Sequence, residues 1–153
     1  MSFYKFNHST IVGDPGQADL GGIDFATTTR QALWATNNGN NDVVYYNGNY
    51  TAGTDFAAAS YTGTKTGFYA GTRLNNRMAV YKGSQKLDER QVSASSAALT
   101  PDNLQFGVYG SDNGNLNHTY AFSTIGDGLT DYEAKALYWI VQKFQTTLGR
   151  QVY

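Results

Sequence analysis

Short runs in which apolar and polar residues alternate make up most of the chain, and only its C-terminal segment changes to a helical spacing. Thr66 to Leu74 places Phe68, Ala70, Thr72 and Leu74 on one side of a strand and Tyr69, Gly71 and Arg73 on the other. Asn75-Asn76 then predicts a turn into a second strand from Arg77 to Lys82. Gly83-Ser84 is a further turn dipeptide, after which Gln85 to Val92 reads as a polar strand ahead of a Ser/Ala-rich loop from Ser93 to Ala98. Leu104, Phe106 and Val108 alternate in another strand, Asp112 to Asn117 is a loop of turn formers, and Tyr120, Phe122 and Thr124 predict the last strand. Residues 1–60 are the loop-rich part. There, Gly13-Asp14-Pro15-Gly16 and Asn37-Asn38-Gly39-Asn40-Asn41 enclose one strand around Gln31 to Thr36. Asp42 to Tyr46 reads as a strand, and Asn47-Gly48 predicts a hairpin, because a type I′ turn needs positive φ at both central residues. Many short strands at this spacing predict a single all-β domain over 1–153, an antiparallel jelly-roll β-sandwich.

The C-terminal segment breaks the period. Thr130-Asp131-Tyr132-Glu133 is a capping box, in which the Thr130 hydroxyl and the Glu133 carboxylate satisfy amides of the first turn. The helix it opens is predicted to run to Leu148, with Gly149 as a left-handed terminator and Arg150 near the negative end of the dipole. Ala134, Leu137, Val141, Phe144 and Leu148 form one stripe that should pack on the sheets. Tyr132 and Trp139 point almost opposite it, beside Lys135 and Lys143. Two readings of that face stand side by side: aromatics shielded by lysine stems, or a contact surface for another domain or subunit.

Composition supports the β reading and narrows the chemistry. The 153 residues include 17 Gly, 17 Thr, 13 Asn and 12 Tyr but only two Glu, a balance that favours strands and turns over helix. Eleven Lys+Arg against 12 Asp+Glu give a formal charge of −1 with no basic cluster, so neither nucleic acid nor an anionic membrane is an expected partner. Without cysteine there is no disulfide framework, thiolate site or cysteine nucleophile. The N-terminus lacks the apolar core of a signal peptide, and no window approaches a membrane span.

Most catalytic constellations want for parts. His8 and His118 are the only imidazoles and lack a zinc spacing, and no nucleophile elbow or phosphate loop occurs. A glycoside hydrolase needs two carboxylates, yet Glu133 belongs to the capping box and Glu89 to the charged run Lys86-Leu87-Asp88-Glu89-Arg90, which reads as a solvated edge strand. The expectation is therefore no catalytic residue and no cofactor. Calcium has two candidate loops, Asn38, Asn40 and Asp42, and Asp112, Asn113, Asn115 and Asn117, since their oxygens suit a hard cation. Asn tolerating left-handed turns accounts for the same residues. Tyr45, Tyr46 and Tyr50, interleaved with Asn47 and Asn49, would suit a glycan platform, and cross-strand packing explains them equally.

The run Tyr120-Ala121-Phe122-Ser123-Thr124-Ile125-Gly126-Asp127-Gly128-Leu129-Thr130-Asp131-Tyr132-Glu133-Ala134, continued by Tyr138, Val141-Gln142, Phe144-Gln145 and Leu148-Gly149-Arg150, resembles the ending of the concanavalin A-like (laminin-G-like) lectin/glucanase domains of bacteriophage virion proteins. Gly67-Phe68-Tyr69-Ala70, Val80-Tyr81-Lys82-Gly83 and Phe106-Gly107-Val108-Tyr109 are similar to the hairpins that precede it there. The resemblance covers residues 66–153 and implies a jelly-roll sandwich in a tail, fibre or capsid-surface component. It implies other virion proteins, or further copies of the chain, as partners, and a host cell-surface glycan as a ligand for attachment. It also implies assembly in the host cytoplasm and release by lysis, which needs no signal peptide. The carboxylate motif of the enzymatic relatives is absent, so the expectation is a non-enzymatic virion component; the alternative is a lectin or glycan-active enzyme of the same fold.

Overall fold

The structure, a computed structural model, describes residues 1–7, 19–24, 29–35, 42–49, 56–92, 105–106 and 119–151. They form β1 (Ser2–Asn7), β2 (Leu20–Asp24), β3 (Thr29–Trp34), β4 (Asp42–Asn49), β5 (Phe56–Ser60), β6 (Gly67–Leu74), β7 (Arg77–Lys82), β8 (Gln85–Gln91), β9 (Gln105–Phe106), β10 (Thr119–Thr124) and α1 (Asp131–Thr147). The strands make two five-stranded sheets, in the orders β10-β1-β6-β7-β8 and β5-β4-β3-β2-β9, with every pairing antiparallel. The fold is thus the all-β, jelly-roll-like sandwich with one C-terminal helix that the alternation predicts.

Phe3, Tyr69, Met78 and Val80 of the first sheet meet Leu20, Leu33, Val43, Tyr45 and Ala57 of the second to form the central core. The neighbouring residues Tyr4, Phe68, Ala70, Ala79 and Tyr81 point to the outer face of the first sheet, where Ala134 and Val141 of α1 cover them. β6 and β7 are therefore buried on both faces, with Thr72 and Arg73 among the buried residues. Close approach between the sheets explains one glycine: a Cβ on Gly71 would stand 2.2 Å from Cγ of Tyr45.

The hairpin at Asn75-Asn76 forms as expected, with Asn75 at φ 56°. Asn47-Gly48 does not turn. β4 runs straight through it, Asn47 facing Gln31 and Gly48 facing Arg30 on β3, because the ladder to β3 supplies backbone partners that a turn would give up. The N-terminal region is also richer in strands than its turn formers suggest, with β1, β2, β3, β4 and β5 all lying before residue 61.

Candidate partner interface

The helix is fixed at both ends by its own sequence. Thr130 Oγ1 accepts from the Glu133 amide at 3.3 Å and the Thr130 amide donates to Glu133 Oε2 at 2.8 Å, the reciprocal box that the spacing predicts. At the other end Gly149 takes φ 66°, and the amides of Gly149 and Arg150 donate to the carbonyls of Thr146 and Gln145, a Schellman closure.

Polar contacts then strap the helix to the first sheet. Asp131, in the first turn, accepts from the Tyr81 hydroxyl at 2.7 Å and pairs with Arg77 at 2.8 Å and Lys86 at 2.7 Å. These donors hold its carboxyl well below the usual carboxylate range, Lys86 and Tyr81 contributing most. Glu89 also pairs with Arg77 and Lys86, so the charged run of β8 is tied into the same cluster. Thr72 exchanges hydrogen bonds with both backbone groups of Leu129, and Gly128 passes so near β6 that a Cβ there would stand 1.8 Å from the Arg73 carbonyl.

The face that α1 turns inward is rotated from the predicted stripe. Ala134 and Val141 are buried and Leu137 packs partly, as expected, but Phe144 and Leu148 are 49% and 46% exposed. Gln142 and Gln145 are buried in their place, Gln145 reaching the Ala121 carbonyl on β10. Tyr138 fixes the rotation, its ring packing on Phe68 at 5.9 Å and lying against Gly83. A polar side chain is accepted inside because β10, at the sheet edge, offers it a carbonyl.

The outward face carries Tyr132 at 82%, Ile140 at 66% and Trp139 at 60% exposure, with Lys135 and Lys143 exposed beside them, while Phe144 and Leu148, further round the helix, are half-exposed toward its C-terminal end. Tyr132, Trp139 and Ile140 together leave an area on the order of 400 Å² bare, within the range of the largest apolar patch of a typical monomer, which is often functional. The spacing singles out Tyr132 and Trp139 and misses Ile140, Phe144 and Leu148. Their signal is present in the sequence: Ala134, Leu137, Tyr138, Ile140, Val141, Phe144 and Leu148 cover nearly half of the helix circumference and Tyr132 and Trp139 lie on the other side, more than a single sheet can cover.

The other candidates are placed differently. Tyr45 is 3% exposed in the inter-sheet core with its hydroxyl accepting from Asn47, and Tyr46, its neighbour on the strand, points the opposite way onto Trp34 and Phe56 at 4.9 and 5.3 Å. Adjacent residues of a strand face opposite sides, so Tyr45 and Tyr46 are not brought together on one platform. Tyr50 lies outside the described residues, as do Asn38, Asn40, Asp112, Asn113, Asn115, Asn117, His8 and His118. The backbone of Asp42 pairs with Ser60 on β5, and its side chain lies outside the description. Among the described residues, no three His, Asp or Glu come together in a metal-binding group, and no helix is long and apolar enough to cross a membrane. No family model, curated protein or solved structure matches this chain.

Proposed function

We propose that the chain is a non-enzymatic component of a bacteriophage virion, surface-exposed as an adhesin or decoration or held at the tail, and that the outer face of α1 attaches it to a neighbouring protein of the particle. The observation that carries this reading is the bare face of Tyr132, Trp139 and Ile140 on a helix that capping and charge pairs hold in place. Trp and Tyr flanked by Lys stems is the composition of an interface centre and rim. The likeness of residues 66–153 to the endings of virion lectin-like domains supplies the setting, and repeated copies on a particle favour symmetric contacts. Both glutamates hold structural positions, Glu133 in the cap and Glu89 in the Arg77–Lys86 cluster, which favours a binding role over glycan hydrolysis. The test is mass spectrometry of particles purified from a lysate of the cells that encode the chain. The reading expects the chain in the particle fraction in many copies; a chain recovered only from the particle-free supernatant overturns it.

A further inference from the structure

Lys5 and Asp19 bring a primary amine and a carboxyl together inside the sandwich. Lys5 lies on β1 of the first sheet, Asp19 stands directly before β2 of the second, and both side chains are 0% exposed with Nζ 2.5 Å from Oδ1. Among the described residues, the Tyr120 hydroxyl reaches Oδ1 of the carboxyl at 2.6 Å and the Ala35 amide reaches Oδ2 at 2.6 Å. Aromatic rings close the site. Phe3 lies under the ammonium at 5.8 Å and packs against Tyr69 and Tyr120. A further charged neighbour is Lys82, whose ammonium sits over the Tyr69 ring at 4.6 Å.

We propose that Lys5 and Asp19 are a site of intramolecular amide formation, joining the two sheets by a covalent bond between Lys5 Nζ and Asp19 Cγ. An ion pair withdrawn from water loses more solvation than it regains, so proton transfer to amine and carboxylic acid is favoured in such a site. Burial holds the Lys5 pKa below its usual value, with the Asp19 carboxylate pulling the other way. The neutral amine then attacks Cγ, and the Tyr120 hydroxyl and Ala35 amide stabilise the charge that develops on the carboxyl oxygens. The C–N bond forms, the bond from Cγ to Oδ1 breaks, and Oδ1 leaves as water with both of its protons drawn from the former ammonium. Oδ2 remains as the amide oxygen on the Ala35 N–H. Ammonium plus carboxylate become amide plus water, so atoms and charge balance without oxidant or cofactor. Holding the reacting groups in contact supplies the effective concentration that free lysine and aspartate lack. The proposal is independent of where the protein resides.

The test is the intact mass of the purified full chain in denaturant. The expected mass is one water below that of the sequence, with proteolysis yielding a branched peptide that joins the segments containing Lys5 and Asp19. Lys5→Arg keeps the cation, removes the nucleophile and should show the full mass of its own sequence. A wild-type chain at full sequence mass after prolonged incubation in the folded state overturns the proposal. So does a water loss that persists in Lys5→Arg or maps to cyclisation at Asp127-Gly128, and the fragment spectrum of the branched peptide decides the linkage even if the variant folds poorly.

Discussion

Val141→Ala tests which face of α1 holds the molecule together. Val141 is 1% exposed, set with Ala134 against Tyr4, Phe68, Ala70, Ala79 and Tyr81 of the first sheet. The substitution deletes two methyl groups, worth about 1.6 kcal/mol in transfer free energy, and the cavity raises the cost to about 2–3 kcal/mol, since β6 and β7 are packed on both sides and cannot collapse into it. For a domain of this size each kcal/mol lowers Tm by about 2–4 °C, so a fall of about 4–12 °C is expected in a thermal melt followed by circular dichroism. Phe144→Ala is the paired comparison. Were Phe144 a core residue, as the simple stripe places it, its removal would cost about 3–5 kcal/mol, more than the valine. Half-exposed as it is, the loss should be no more than about 1 kcal/mol. A melt in which Phe144→Ala is the more damaging of the two refutes the observed rotation of the helix.

Other outcomes follow from the same structure. Asp131 is ionised more readily in the folded than in the unfolded chain, so it contributes stability that is fully present above about pH 4 and is lost as pH falls through its depressed folded pKa. Asp131→Asn should cost about 1 kcal/mol near neutrality and flatten part of the acid limb in urea titrations between about pH 2 and 6; an unchanged limb removes the role given to the Tyr81–Arg77–Lys86 cluster. Burial, with help from Lys5 and Lys65, lowers Lys82 to about 8. At this group the unfolded chain therefore binds more protons between about pH 8 and 10.4, so stability rises with pH up to about pH 10, a rise that Lys82→Met should diminish, the buried Lys5 contributing in the same sense. Above about pH 10 the buried tyrosines Tyr69, Tyr81 and Tyr120, all pushed up by burial first, reverse the trend, because only the unfolded chain ionises them. Gly128→Ala drives a Cβ to 1.8 Å from the Arg73 carbonyl, and since backbone cannot rotate away, a loss of about 1–3 kcal/mol is expected by chemical denaturation; a neutral result means the lead into α1 is not held against β6.

What was legible in the sequence is what short-range chemistry decides. Thr130 and Glu133 make their box within one turn, Gly149 closes the helix locally, and Asn75-Asn76 turns β6 into β7 as its residue types direct. Asn47-Gly48 carries an equally good local signal and is overruled, because its preference is small beside a ladder that runs from Thr29↔Asn49 to Trp34↔Val44. β1 escapes a search for alternation because both of its faces are buried: Phe3 and Lys5 face the second sheet while Tyr4 faces the helix. β5, with its run of three alanines, offers no contrast at all. The Tyr45–Tyr46 pair could have been divided in advance, since a strand sends successive side chains to opposite faces. Lys5 and Asp19 could not have been joined, as only the packing of β1 against the start of β2 brings them together.

The proposal that the outer face of α1 attaches the chain to a particle meets its most direct test in the copy number of the chain on purified particles, compared between the wild type and Trp139→Ala or Ile140→Asp. Both positions are more than half exposed and neither belongs to a core cluster, Trp139 meeting only the rim at Tyr138, 4.7 Å between ring centroids, so the isolated variants should melt close to the wild type. The account predicts a wild-type chain that sediments with particles and variants that fold normally but remain in the supernatant. Variants that decorate particles at the wild-type level, or a wild-type chain that never sediments with them, contradict it.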